Sequence, residues 1–188
     1  MVKDMKREKL TFEWSETGRL EVLVKRTDSA VLRYEPSEEV IQKMLEKYRA
    51  DCAELERRYH ELSESCGQHM RTGHFAELSD TYAEMAGVLE AEGRYTDELK
   101  MLMLTFYLDL SGVGSEPHIR STLPELATAA FERSKMSKHE MTDLYLETIR
   151  RDCTPRHTMT VLGSLRLFEL CILGKVGAAE RILNQLSK

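Results

Sequence analysis

Glu90-Ala91-Glu92-Gly93-Arg94-Tyr95-Thr96-Asp97-Glu98-Leu99 reads as a tight corner between two packed helices. Ahead of it, Phe75, Leu78, Tyr82, Met85 and Leu89 recur at helical spacing. Behind it, Leu99, Leu102, Met103, Phe106, Tyr107 and Leu110 do the same. Gly93 supplies the positive φ that ends the first helix. Thr96 is expected to cap the second, with Asp97 and Glu98 facing the positive end of its dipole. Gly93, Tyr95 and Thr96 are thus the structural corner residues, and such a corner carries no chemistry of its own.

The second of these helices is apolar on nearly every side, because Met101, Leu104 and Leu108 widen its stripe. A helix of that kind is buried from several directions and is expected at the centre of the fold. Ser111 to Pro117 then breaks the chain with two glycines and a proline, a candidate hinge. Thr122-Leu123-Pro124-Glu125 and Ser137-Lys138-His139-Glu140 both have the capping-box pattern. Thr154-Pro155 reads as a third helix start, and a short helix from Ala178 to Leu186 closes the chain.

Upstream, Ser37 precedes Glu38 and Glu39 and caps a long helix. Within it Ile41, Leu45, Tyr48, Cys52, Leu55, Tyr59, Leu62 and Cys66 alternate spacings of four and three, a heptad seam. The seam fits a coiled coil between two chains or packing within one chain. Tyrosines and cysteines suit a globular face better than a zipper, so intrachain packing and a monomer are expected, with a dimer through residues 41–66 as the alternative. Before it, Leu10, Phe12 and Trp14, then Leu20, Val22 and Val24, alternate with polar residues on either side of Gly18. That is the period of a β-hairpin, with Trp14 as its packing anchor.

The expected architecture is mainly α: about seven helices in antiparallel hairpins, of helical-repeat or right-handed superhelix type, with a small N-terminal β-hairpin. Residues 1–35 form the N-terminal segment and residues 36–188 the helical domain, with the hinge at 111–117.

Net charge is −5 over 188 residues, but residues 35–110 carry −9 and the segments on either side +2 each. The acidic middle disfavours a nucleic-acid footprint there and suits a solvated surface or a basic partner. No stretch of about 18 apolar residues exists to span a membrane. Met1 to Lys9 is charged and no apolar core follows, unlike a secretory leader. Four cysteines, Cys52, Cys66, Cys153 and Cys171, then read as reduced thiols of a cytoplasmic protein.

Tyr82-x-x-Met85-Ala86-x-x-Leu89-x-x-x-Gly93-x-Tyr95 resembles the first half of a tetratricopeptide repeat. The family's next small and aromatic positions fall here on Glu98, Leu102 and Thr105. Gly174-x-Val176-x-x-Ala179 repeats part of the pattern. The resemblance covers about a third of the chain. It implies stacked helix pairs and a concave face that binds peptides or proteins.

Chemical motifs are sparse. Cys66, His69 and His74 offer three ligands near one helix end, but a fourth is not local and no Cys-x-x-Cys occurs, so no metal or other cofactor is expected. Cys153, beside Arg150, Arg151 and His157, is the one electropositive thiol, and a structural role is expected for it. Gly112-Val113-Gly114 lacks the Gly-Lys-Ser of a phosphate loop. Lys135, Lys138, Arg150 and Arg151 form the only basic handle for nucleic acid. The expectation is a non-catalytic scaffold or adaptor that binds a protein or peptide. The alternatives are a nucleic-acid-associated regulator using the basic C-terminal half, and an enzyme with an unrecognised site.

Overall fold

The computed structural model describes residues 9–14, 20–25, 31–34, 36–112, 122–152, 161–175, 177–179 and 181–182. These residues are mainly helical. They belong to two compact units, Met1–Cys52 and Ala53–Lys188. The division falls inside a long helix.

The first unit holds strands β1 (Lys9–Trp14), β2 (Leu20–Lys25) and β3 (Val31–Tyr34), paired antiparallel in the order β1-β2-β3. Lys9 faces Lys25 and Trp14 faces Leu20 across the first pair. The expected turn around Gly18 and the Trp14 side chain lie outside the described residues. Helix α1 (Glu38–Thr72) begins in this unit, and the Ser37 hydroxyl accepts from the Val40 amide at 3.4 Å.

The second unit contains the rest of α1 with α2 (Phe75–Ala91), α3 (Tyr95–Leu110), α4 (Leu123–Ser134), α5 (Lys138–Asp152) and α6 (Val161–Ile172). Helical backbone recurs at 177–179 and 181–182. Helix α3 is the hub, in contact with α2, α4, α5 and α6. Leu99, Leu102, Met103, Leu104, Phe106 and Leu108 are each at most 1% exposed, as an all-round apolar helix requires. Each such side chain contributes about 1.5–3 kcal/mol by leaving water. Phe168 of α6 joins it, meeting the Phe106 ring edge-on at 5.1 Å and the Tyr145 ring of α5 at 5.2 Å. Polar groups fasten α2 to α3: the Ser79 hydroxyl donates to Asp109 Oδ1 at 2.8 Å, and the Thr105 hydroxyl donates to the Ser79 carbonyl at 3.4 Å. Among the described residues no helix is long and apolar enough to cross a membrane.

The corner at Gly93 closes as a Schellman turn. Gly93 has φ +72°, its amide donates to the Glu90 carbonyl at 3.0 Å, and the Arg94 amide donates to the Leu89 carbonyl at 2.9 Å. A Cβ at Gly93 would meet only the Tyr95 hydroxyl, at 3.9 Å, so the constraint is conformational rather than steric crowding. Gly93→Val should therefore cost about 1–3 kcal/mol, with Gly93→Asn costing less because Asn tolerates the left-handed region. Paired thermal melts check this, and an unchanged midpoint for Gly93→Val would refute it.

Two capping expectations need correction. Helix α3 starts at Tyr95 with Arg94 as its cap residue and no side-chain cap bond, so Thr96 lies within the first turn. The Schellman turn brings the chain straight from Gly93 into the next helix, one residue too early for Thr96. Thr122 precedes α4 at φ −102°, ψ −19°, which is helical rather than extended, and its hydroxyl makes no cap bond. Ser137 does form its box: Glu140 N–H donates to Ser137 Oγ at 3.2 Å, and Ser137 N–H donates to Glu140 Oε2 at 2.7 Å. That amide, with the hydroxyl beside it, holds the Glu140 carboxyl below its usual pKa.

The heptad seam divides in two. Leu62 and Cys66 are buried in the core of the second unit and Tyr59 packs against it. Ile41 to Tyr48 are not covered in this way: Leu45 and Tyr48 are 44% and 68% exposed. The candidate hinge beyond Gly112, the Thr154-Pro155 start, and Cys153, His157, Val176 and Leu186 lie outside the described residues.

Candidate functional site

The chemistry-bearing groups gather first around the corner. Glu90 ends α2, Tyr95 and Glu98 begin α3, and Arg133 lies in the last turn of α4. Arg133 Nη1 donates to Glu90 Oε1 at 2.6 Å and Nη2 to Glu98 Oε1 at 3.3 Å. Its Nε donates to the Ala129 carbonyl at 3.2 Å, and its guanidinium carbon stands 4.9 Å from the Tyr95 ring centroid. Tyr95 thus serves the corner as a platform for a cation from a third helix.

Glu98 is the unusual member. It is 1% exposed, and its Oε2 has no partner among the described residues. Burial drives its pKa from 4.5 up to about 7; Arg133 opposes this and Glu90 adds to it. A buried acid with a shifted pKa is a common mark of catalysis. Here the carboxyl is sealed beneath Arg133. The arrangement can exchange a proton, and it joins α4 to the α2–α3 corner.

The side chains of Cys66, His69 and His74 do not converge. The Cys66 thiol contacts Met85 Sδ at 3.5 Å inside the core, and burial raises its pKa to about 11. The His69 and His74 rings stand 6.3 Å apart. No group of three metal-binding side chains occurs among the described residues. A thiol held neutral in this way is a poor nucleophile. Cys171 is buried too. The basic handle is interleaved with acids. Lys138 Nζ lies 3.9 Å from Glu169, Arg151 lies 2.9 Å from Asp152 and 3.8 Å from Glu147, and Lys135 is the left-handed residue ending α4.

An open apolar groove of about 320 Å³ runs between α4 and the end of α6. Pro124, Thr128, Ala129 and Cys171 line it, and Glu125 and Glu132 stand at its edge. Both glutamates are exposed. The spacing 124, 125, 128, 129, 132 puts all five α4 positions on one helix face. Gly174 ends the groove at a second Schellman turn, with the Lys175 amide donating to the Leu170 carbonyl at 2.8 Å. An aliphatic side chain fits the floor, and a lysine or arginine beside it would meet the rim carboxylates. Neither rim glutamate nor the groove was legible in the sequence, since α4 and α6 are joined only by tertiary packing. The chain matches no family model, no curated protein and no solved structure.

Proposed function

We propose that this chain is a non-catalytic helical scaffold that binds a protein or peptide segment, and that the α4–α6 groove is where it does so. The carrying observation is the open apolar floor edged by Glu125 and Glu132. Apolar side chains fix affinity there, and the rim selects a basic neighbour. The helix pairs are read as successive hairpins of a tetratricopeptide-like array, supported by the paired glycine corners at Gly93 and Gly174. The sealing of Glu98 and the core position of Cys66 favour binding over catalysis. The carboxylates beside Lys138 and Arg151 weigh against a nucleic-acid surface on α5.

Selection of a random peptide library on the full chain tests the reading. Peptides with an aliphatic residue next to lysine or arginine should be enriched. Their affinity should fall more than tenfold for Ala129→Arg, a partly exposed position, at unchanged melting midpoint. Selected peptides that bind wild type and Ala129→Arg equally would place recognition elsewhere.

A further inference from the structure

Among the described residues, helix α1 is exposed along much of its first half. Every residue from Gln42 to Asp51 is exposed, on all sides of the helix. Yet this stretch is not polar all round. Val40, Met44, Leu45 and Tyr48 are large apolar groups at 37%, 41%, 44% and 68% exposure. Ile41, Leu45, Tyr48 and Cys52 follow the heptad spacing as one stripe, with Val40 and Met44 on its flank. Further along the same seam, Leu62 and Cys66 are covered by the chain's own core. The expectation of a monomer assumed that the whole seam was covered in this way, and its first half is not.

The charges around the stripe say what fits it. From Glu38 to Cys52 the helix carries four acids and three bases, so the surface is close to neutral and bears both signs. Such a surface tolerates a copy of itself and offers little to a strongly charged partner. Orientation follows from the flanking positions. Parallel, in-register helices would set Glu38 against Glu38 and Asp51 against Glu56, like against like, where the stripe meets the residues just beyond its two ends. Antiparallel helices with a twofold axis at Ala50 would set Arg49 on Arg49 and Asp51 on Asp51. With the axis between Glu46 and Lys47, Leu45 meets Tyr48 and Ile41 meets Cys52 of the other helix. The edges then pair Gln42 with Arg49 and Met44 with Asp51, and no like charges oppose.

We propose that residues 40–52 of α1 form the contact through which two copies of the chain associate, antiparallel about a twofold axis between Glu46 and Lys47. The contact is isologous, so it closes at two copies and does not propagate. A seam of about 18 Å per helix is short, and the association is correspondingly weak and reversible. It shares no residue with the α4–α6 groove, so either reading can fail without the other.

Sedimentation equilibrium across a concentration series tests the proposal on the full chain. A monomer–dimer equilibrium is expected, with no larger species. Leu45→Glu, and separately Tyr48→Lys, should weaken it more than tenfold while helicity by circular dichroism is unchanged. Ala129→Arg should leave it intact. Orientation is read by mild oxidation followed by peptide mass mapping. Ile41→Cys should give a covalent dimer joining the introduced thiol to Cys52 of the other copy, and the unmodified chain should not join Cys52 to Cys52. A monomer up to hundreds of micromolar overturns the proposal, even one that takes up a different protein on this stripe. So does a dimer that both charge substitutions leave intact, or a Cys52–Cys52 link in the unmodified chain.

Discussion

Phe168→Ala should cost about 3–5 kcal/mol, the largest effect of any single truncation considered for this fold. Phe168 is fully buried, and its ring is the common neighbour of Phe106 on α3 and Tyr145 on α5. Removing it opens a cavity where three helices meet, and helices cannot close such a gap without shifting one another. The melting midpoint should fall by about 10 °C. Phe168→Leu, which keeps most of the volume, should lose less than half as much. A shift of only a degree or two for Phe168→Ala would mean that α5 and α6 are not seated on α3 through this ring.

The second large effect depends on pH. Glu98 holds its proton more tightly when folded, with a pKa of about 7 against an ordinary 4.5. Below pH 4.5 the carboxyl is protonated in both states and contributes no difference. As pH rises from there to 7, the unfolded chain ionises first and the folded state loses stability. Above 7 the loss is complete, on the order of 2–3 kcal/mol after allowing for relaxation around Arg133. Glu98→Gln keeps the shape and removes the ionisation. The variant should match wild type near pH 4.5 and exceed it in thermal midpoint at pH 8. Parallel melting curves for the two proteins across this range would show that Glu98 is not sealed from water.

How far the sequence disclosed this arrangement depends on which constraint each residue obeys. Gly93 was legible because a left-handed corner has a one-residue signature, and its φ is +72°. Helix α3 was legible as the hub because an all-round apolar pattern has only one stable location. Ser137 and Thr122 carry the same capping pattern, yet only Ser137 caps. The pattern names side chains that can reach an amide; it does not fix the backbone angles that let them. In the sequence Glu98 is a dipole partner in the first turn of its helix. A signal was present, since it sits beside Leu99 in a helix that is apolar on nearly every side. What makes its burial tolerable is Arg133, 35 residues away, and no local period reports that pairing. Strand β3 was not anticipated either, because Val31-Leu32-Arg33-Tyr34 lacks strict alternation. The heptad seam was legible as a pattern, and only the folded chain divides it into a covered and a bare half.

The hydrogen bonds between Ser79, Thr105 and Asp109 bear on how this sequence can drift. Leucines and methionines along α2 and α3 can be exchanged for one another at small cost, because the two side chains have similar volumes and methionine adapts to the space it is given. The polar trio is not so adaptable. A slide of one helix by a single turn, about 5.4 Å, would part the Ser79 hydroxyl from Asp109 inside the core and leave the Thr105 hydroxyl only the Met101 carbonyl of its own helix. These positions therefore carry the information that sets the axial register of the two helices, while the apolar positions around them carry the stability. In descendants of this chain, residues 79, 105 and 109 should change together or not at all, and the leucines beside them should wander freely among aliphatic types.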